Sequence, residues 1–399
     1  QIEAKRDVGI YAETQTTMEN WVIGAGGGFV GAAGSVGVSI LRGDALVTLR
    51  MAQVLANRNV VIDSYAKNDV TSYVGAASAG VAALGGAVNV TSLTGRSVVS
   101  MERQTALAAP VDDTTTVGID EDRDSLIDAQ GTVTVTARTT TDVGTAAAAG
   151  SAGGGAVAVG ANVTLNDATT QIVLDADQRI RGVGDVALSA NETVNIDGLG
   201  GAIAAGTGFG VGAGLDYARL SGLTAVTIGD RSQVNSQSGA VSLTANSART
   251  IDSIVGVGAL GGVAGVAAAV GIVEAGGTAT TSDSEVNDDN TQVRADAQSG
   301  LAGSADEGDG TEAGASADDK RNTANAMAGY AGGTDTDMEV RTERRALNVT
   351  ASAQPDAVTV SLGQDASIFA GGAVNLTATA GNSITQNGGA VAVGGLAGV

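Results

Sequence analysis

The fold is decided by the stretch Val241-Ser-Leu-Thr-Ala245, which is followed by Ile251-Asp252 and by a glycine, alanine and valine run from Val255 to Val273. In the first segment apolar residues alternate with serine and threonine, which is the period-two pattern of a half-buried β-strand. The run that follows contains no charged residue and is long enough for a membrane helix. Its six glycines disfavour a helix, so we expect β-structure there and no membrane span.

The strand phrase recurs along the chain with a nearly constant spacing. Its copies are Val8–Ala12, Val60–Ser64, Val133–Ala137, Val186–Ala190, Val241–Ala245 and Val374–Ala378, and the intervals between their leading valines are 52, 73, 53, 55 and 133. The three short intervals define the basic unit of the repeat, and the two long intervals contain insertions. Such a register predicts a repeat architecture.

The repeat predicts an all-β fold, a parallel β-helix (β-solenoid) with rungs rich in glycine, alanine and valine. We expect two or three rungs of roughly 20 residues per repeat, stacked about 4.8 Å apart. Residues 1–399 then form a single elongated solenoid, a fragment of a longer protein, with acidic loop insertions at 102–131 and 274–345. Trp21 and Tyr73 occupy one repeat position and are predicted to stack in the interior or at an end. The glycine and alanine runs form either rungs or a hairpin beside the stack.

Composition excludes several classes of function. The net charge is −22, from 43 acidic and 21 basic residues, so the chain has no basic patch for nucleic acid and would be repelled by an anionic membrane. The absence of cysteine excludes disulfides and thiol catalysis. The absence of histidine removes the most common general base and metal ligand.

One acidic segment in the first insertion has the spacing of a calcium-binding loop. Asp120, Asp122, Asp124 and Asp128 occupy relative positions 1, 3, 5 and 9. Alternate side chains can point inward, and Ca²⁺ prefers six to eight oxygen ligands. Ser125 stands where such loops usually have glycine. The segment therefore predicts either a structural calcium site or a solvated acidic loop.

We expect no enzymatic activity. The repeat places acids on neighbouring copies, such as Asp197 and Asp252, and glycosidases use carboxylate pairs. Aromatic residues make up only 2% of the chain, which leaves little to line a sugar groove. A polysaccharide-active β-helix enzyme is the least favoured alternative.

Three phrases of the repeat resemble those of filamentous-haemagglutinin-like and leukotoxin-like filamentous adhesins, which are giant secreted proteins of Gram-negative bacteria. The phrases are Gly239–Ala245, Val263–Val273 and Val226–Asp230. The resemblance covers most of the chain outside the two insertions. It implies a right-handed parallel β-helix, export through an outer-membrane pore and a role in attachment, and it carries over no catalytic residue.

These observations predict a stalk segment of a bacterial surface adhesin, located outside the cell and acting as a rigid spacer in cell-surface or cell–cell attachment. Host, neighbouring-cell or matrix surfaces would be contacted by other parts of the protein. The alternative is a self-assembling extracellular fibre or sheath subunit, because open solenoid ends expose strand edges.

Overall fold

A computed structural model describes residues 1–103, 125–275, 357–395 and 397–398, and every regular element within them is a β-strand. The strands are β1 (Ile2–Ala4), β2 (Val8–Gly27), β3 (Val30–Arg50), β4 (Gln53–Ala56), β5 (Val60–Glu102), β6 (Leu126–Ala129), β7 (Val133–Leu174), β8 (Arg179–Gly182), β9 (Val186–Ile228), β10 (Gln233–Ser236), β11 (Val241–Gly261), β12 (Ala264–Ala275), β13 (Val358–Leu362), β14 (Ser367–Ala370), β15 (Val374–Gly394) and β16 (Ala397–Gly398). The all-β prediction is confirmed.

Each repeat folds into a single rung, and successive rungs pair in parallel. The pairing follows the intervals read from the sequence; Val186, for example, lies beside Val241 in the neighbouring rung. Within β5 the chain runs outward to Gly80, bends and returns, so that its two halves face each other. Ser72 Oγ donates a hydrogen bond across them to Asn89 Oδ1 at 2.8 Å. We call these halves the outbound and return strands, and the bend between them the arc.

A rung has three strands, and the expectation of two or three rungs per repeat is wrong. In the first rung β1 has 3 residues, β2 has 20 and β3 has 21. The short strands form a six-stranded parallel sheet in the order β1-β4-β6-β8-β10-β14. The expected rungs of roughly 20 residues would need a corner after every few residues. The long strands contain no such corner, because their glycine and alanine residues allow the outbound and return strands to pack directly against each other.

The insertions leave the register of the stack unchanged. β12 pairs with β9 up to the partners Ala275 and Leu220, and β13 resumes this pairing at Val358 beside Thr224. The chain between Ala275 and Val358 therefore replaces only residues 221–223 of the previous rung. β6 lies inside the predicted first insertion and pairs with β4 and β8, so these residues belong to the regular stack.

The interior is divided into apolar and polar bands that run through the rungs. The largest apolar cluster lies between the short strands and the long strands and contains Ile62, Ile180 and Leu243. A second cluster lies midway along the long strands, and a third, made mostly of alanine and valine, lies near the arc. Hydrogen-bonded polar side chains separate the three clusters.

Glycine is required at the start of the arc. Gly80, Gly153, Gly206 and Gly261 occupy equivalent positions in successive rungs. A Cβ at Gly261 would lie 1.7 Å from the carbonyl oxygen of Ala264, and one at Gly206 would lie 1.8 Å from that of Phe209. The backbone reverses too tightly here for any side chain.

The glycine and alanine runs form the outbound and return strands around the arc, in parallel register with their neighbours, rather than a separate hairpin beside the stack. Val255–Val273 therefore spans β11 and β12. Trp21 and Tyr73 are neighbours, with ring centroids 4.7 Å apart, but their planes are tilted by 57° and they are 65% and 37% exposed. Their predicted interior position is wrong, because the alternation of faces along β2 directs Trp21 outward.

We expect Leu243→Ala to lower the free energy of unfolding by about 2–5 kcal/mol, because it empties a fully buried position in the largest apolar cluster. Urea unfolding followed by circular dichroism measures the change. The neighbouring Thr244→Ala is the control, since Thr244 faces outward and should change stability by about 0.5 kcal/mol or less. Equal losses from both variants would contradict the assigned faces.

Candidate functional site

The structure describes one of the four predicted calcium ligands. Asp120, Asp122 and Asp124 lie outside the described residues. Asp128 lies in β6 between Leu55 and Arg181 of the neighbouring rungs, at a half-buried position. The described residues contain no group of three or more acidic side chains placed to hold a metal ion. The calcium site therefore stays a prediction.

Ser125, which replaces the usual glycine of a calcium loop, belongs to a corner of the stack. It is fully buried, its Oγ accepts a hydrogen bond from the Ala52 amide at 3.1 Å, and its own amide donates to Gln178 Oε1 at 3.0 Å. The last part of the acidic segment is thereby fixed to the stack.

The other corners share a left-handed backbone conformation two residues before the short strand. Met51, Asp177, Arg231 and Asp365 have φ values of 47°, 65°, 56° and 58°. Such values are uncommon for residues other than glycine, and each residue here ends a tight turn. The equivalent position in the third rung is Asp124, which lies outside the described residues.

An ion-pair ladder connects these corners. Arg231 places Nε and Nη2 each 2.7 Å from the Asp177 carboxylate, and Arg103 Nη1 lies 2.7 Å from the same group. The hydrogen bond from Arg231 is the main reason that the pKa of Asp177 is lowered. All three side chains remain partly exposed to solvent, so the ladder contributes little to stability.

A buried amide ladder runs through the interior between the middle cluster and the cluster near the arc. Asn89 Nδ2 donates to Asn162 Oδ1 at 3.1 Å, and Asn162 Nδ2 donates to Asp216 Oδ1 at 2.6 Å. The facing strand supplies small residues at this level. Opposite Asp216 stands Gly198, where a Cβ would lie 2.5 Å from the carboxylate. Each long polar side chain is therefore matched by a short partner.

Asp216 is the one carboxylate in this ladder. It is 1% exposed, and its second oxygen accepts a short hydrogen bond from Ser253 Oγ. Burial raises the pKa of Asp216, while the hydrogen bonds from Ser253 and Asn162 partly oppose the rise. No other titratable side chain takes part in this ladder among the described residues. The ladder therefore connects successive rungs through hydrogen bonds between buried side chains.

A second buried acid lies in the polar band nearer the short strands. Glu192 Oε2 accepts hydrogen bonds from Thr224 and Ser247, each at 2.8 Å, and from Arg249 Nη2 at 3.1 Å. Glu192 and Arg249 are 1% and 7% exposed. The pair and its hydrogen bonds therefore link neighbouring rungs inside the stack.

The outer surface is divided by charge. In five successive rungs the part around the arc contains no charged residue, and we call this part the uncharged blade. It comprises residues 21–36, 73–88, 146–161, 199–215 and 254–270. Its outward-facing side chains include Ile23, Val36 and Leu260, which are 79%, 50% and 50% exposed. The charges of the described chain therefore lie elsewhere on the stack.

The two acids that the repeat places on neighbouring copies lie apart from the surface depression at the arc. Asp197 and Asp252 are neighbours in the ladder, as the repeat predicts, and both face outward on the outbound strands. The shallow depression at the arc is lined by glycine, alanine and apolar residues such as Val81 and Leu260, with Thr207 as its one hydroxyl. The acids and the depression are therefore separate.

Comparisons with known proteins give no match to any protein-family model, curated protein or solved structure. Among the described residues there is also no helix long and apolar enough to cross a membrane. The resemblance to filamentous adhesins thus rests on the sequence phrases alone.

Sequence reasoning missed both the amide ladder and the uncharged blade. The signal for the ladder was the repetition of Asn89 and Asn162 with Asp216 at the same repeat position. The signal for the blade was present in the uncharged glycine and alanine runs, which were predicted to form either rungs or a hairpin beside the stack. Their outward residues could be identified only once the strand faces were known.

We expect Ca²⁺ titration to raise the melting temperature of the full chain, and Asp122→Ala to abolish the rise, because ligand binding to the native state stabilises it. Differential scanning calorimetry with and without EDTA measures the shift. Asp142→Ala, which removes an outward acid elsewhere in the stack, should leave it unchanged. A wild-type chain with no calcium-dependent shift would refute the site.

We expect Asp216→Asn to stabilise the chain at pH 7, because an amide continues the ladder without the cost of burying a charge. The folded-state pKa is raised, so the native chain binds more protons than the unfolded chain between the two pKa values, and stability falls as pH rises through this window. The gain should therefore disappear below about pH 3.9, the pKa of an unperturbed aspartate. Thermal melting of both proteins between pH 3 and pH 8 tests this, and a constant difference would contradict it.

Proposed function

We propose that the chain is a spacer segment in the stalk of a large secreted surface adhesin of a Gram-negative bacterium. In this role it holds a binding region, elsewhere in the protein, away from the cell that carries it. The observation that carries the proposal is that each complete repeat forms one rung in register with the next.

The interior supports a mechanical role. Continuous backbone pairing joins β2, β5, β7, β9, β11 and β15, so a pull along the stack loads many hydrogen bonds together. The buried ladder from Asn89 to Asp216 and the Glu192–Arg249 pair link rungs through side chains as well. These hydrogen bonds and this ion pair connect successive rungs inside the stack, in addition to the backbone ladder.

A fibre or sheath subunit is the second candidate, and exposed strand edges favour it. Each rung joins the next along a parallel strand edge, as β15 does with β11 from Val374 to Gly394. An edge of this kind can accept a further parallel strand. Electron microscopy of the purified chain separates the candidates, because end-to-end filaments formed without any partner would favour the fibre.

We expect the chain to support attachment only when it is joined to a binding domain. The test displays it on a non-adherent bacterium between an outer-membrane anchor and a domain of known target. Target-coated beads should be captured by this fusion. Bacteria that display the same fusion without the binding domain should adhere to host cells and matrix proteins no more than bacteria that display the anchor alone. Adhesion by the chain alone would contradict the spacer role.

A further inference from the structure

One outer face of the stack is apolar over five rungs. It consists of the outward-facing residues of the return strands within 30–38, 82–90, 155–163, 209–217 and 264–272, and we call it the return face. Every second residue in these ranges points outward, which gives 25 positions. None is charged, and the Tyr217 hydroxyl, the one polar side-chain group among them, donates to Glu274 at 2.8 Å.

Most of the return face is exposed or half-buried as well as apolar, and Val163 is the one buried residue among its positions. Val36, Val159 and Val266 are 50%, 41% and 43% exposed, and they come from the first, third and fifth rungs. Valine, alanine and glycine dominate the 25 positions, so the face is shallow, with few large side chains standing above it. A continuous apolar face of this kind marks an interaction site in a protein with so many charges elsewhere.

The size of the return face matches a protein interface. Five strands about 4.8 Å apart and nine residues of about 3.3 Å each give about 24 Å by 30 Å. This is about 700 Å² on one partner, or about 1,400 Å² for a pair, which lies within the range of stable, specific interfaces. Two sheets with small side chains can pack face to face in this way.

The border of the return face carries positively and negatively charged residues in equal number. On the side away from the arc, the outward positions include Arg42, Arg96 and Arg219 together with Asp44, Asp167 and Glu274. In a chain of net charge −22 this border is locally neutral. A second copy rotated by a twofold axis meets the same mixed border and is not repelled by it.

We infer that the return face is a twofold-symmetric interface between two copies of this chain. Each copy places its five return strands on those of the other, and the mixed charges lie at the rim. A lipid surface fits less well, because the face has no tryptophan or lysine and the net charge opposes anionic membranes. The pairing is lateral, so it joins two stacks side by side and leaves the strand edges at their ends free.

The test is Val159→Glu, which places a carboxylate near the centre of the return face. Sedimentation equilibrium of the purified full chain should show a dimer for the wild type. The variant should raise the dissociation constant by about 100-fold or more, because the charge would be buried without a partner in the interface. Thr140→Glu is the matched control, since Thr140 faces outward on the outbound strand of the same rung. It should leave the dimer intact.

Three outcomes would overturn the inference. The first is a wild-type chain that remains monomeric at about 100 µM, which is well above the micromolar dissociation constants at the weak end for interfaces of about this size. The second is association that Val159→Glu leaves unchanged, which would indicate end-to-end contacts. The third is a monomeric wild type that floats with neutral phosphatidylcholine vesicles, which would assign the face to lipid.

The variant must also be folded, so the circular dichroism spectrum and melting temperature of Val159→Glu must match those of the wild type. Val159→Lys provides a second, oppositely charged variant that should dissociate the dimer equally.

Discussion

The structure depends on parallel, in-register stacking, which places each side chain beside its counterpart in the next repeat. At a spacing of about 4.8 Å, a buried charge repeated in every rung would be strongly repelled by its copies. The chain avoids this arrangement. Glu192 lies between Thr139 and Ser247 in its ladder, and Asp216 lies between Asn162 and Gly271. An amide can repeat, because it both donates and accepts, and Asn89 and Asn162 use this property.

The same constraint explains why small residues dominate the part around the arc. The outbound and return strands leave room for no side chain at the start of the arc, as the close approach at Gly261 and Gly206 shows. Farther from the bend they enclose mostly alanine and valine. An interior of this composition buries little apolar area per residue. Some valines of the uncharged blade, such as Val255, are buried in the cluster near the arc, but its leucines, isoleucines and many other valines face outward. At the short strands the large apolar residues are inside, as at Ile180 and Leu243. Apolar surface that the rung cannot bury within itself is available for another molecule.

The sequence was sufficient to predict the fold class and the register, because the alternation in Val241–Ala245 and its copies depends on local spacing alone. It did not reveal that one repeat makes one rung, since glycine-rich strands and glycine-rich corners have the same composition. The position of Trp21 was misjudged for a related reason: a small interior was assumed to hold the few large residues, whereas Trp21 lies on the outer face. The buried pair of Glu192 and Arg249 could not be predicted, because its partners are far apart in the sequence and meet only through the rung register.

The placement of the second insertion follows from how a solenoid holds its register. A strand in the stack is fixed by its neighbour in the previous rung, so the chain can depart and return without altering the pairing on either side. β12 and β13 demonstrate this, since both remain paired with β9 although a long insertion separates Ala275 from the pairing at Val358. The backbone geometry of the stack therefore does not limit the length of such an insertion. A repeat segment can in this way acquire an additional loop while its rungs, their ladders and the exposed return face keep the same register.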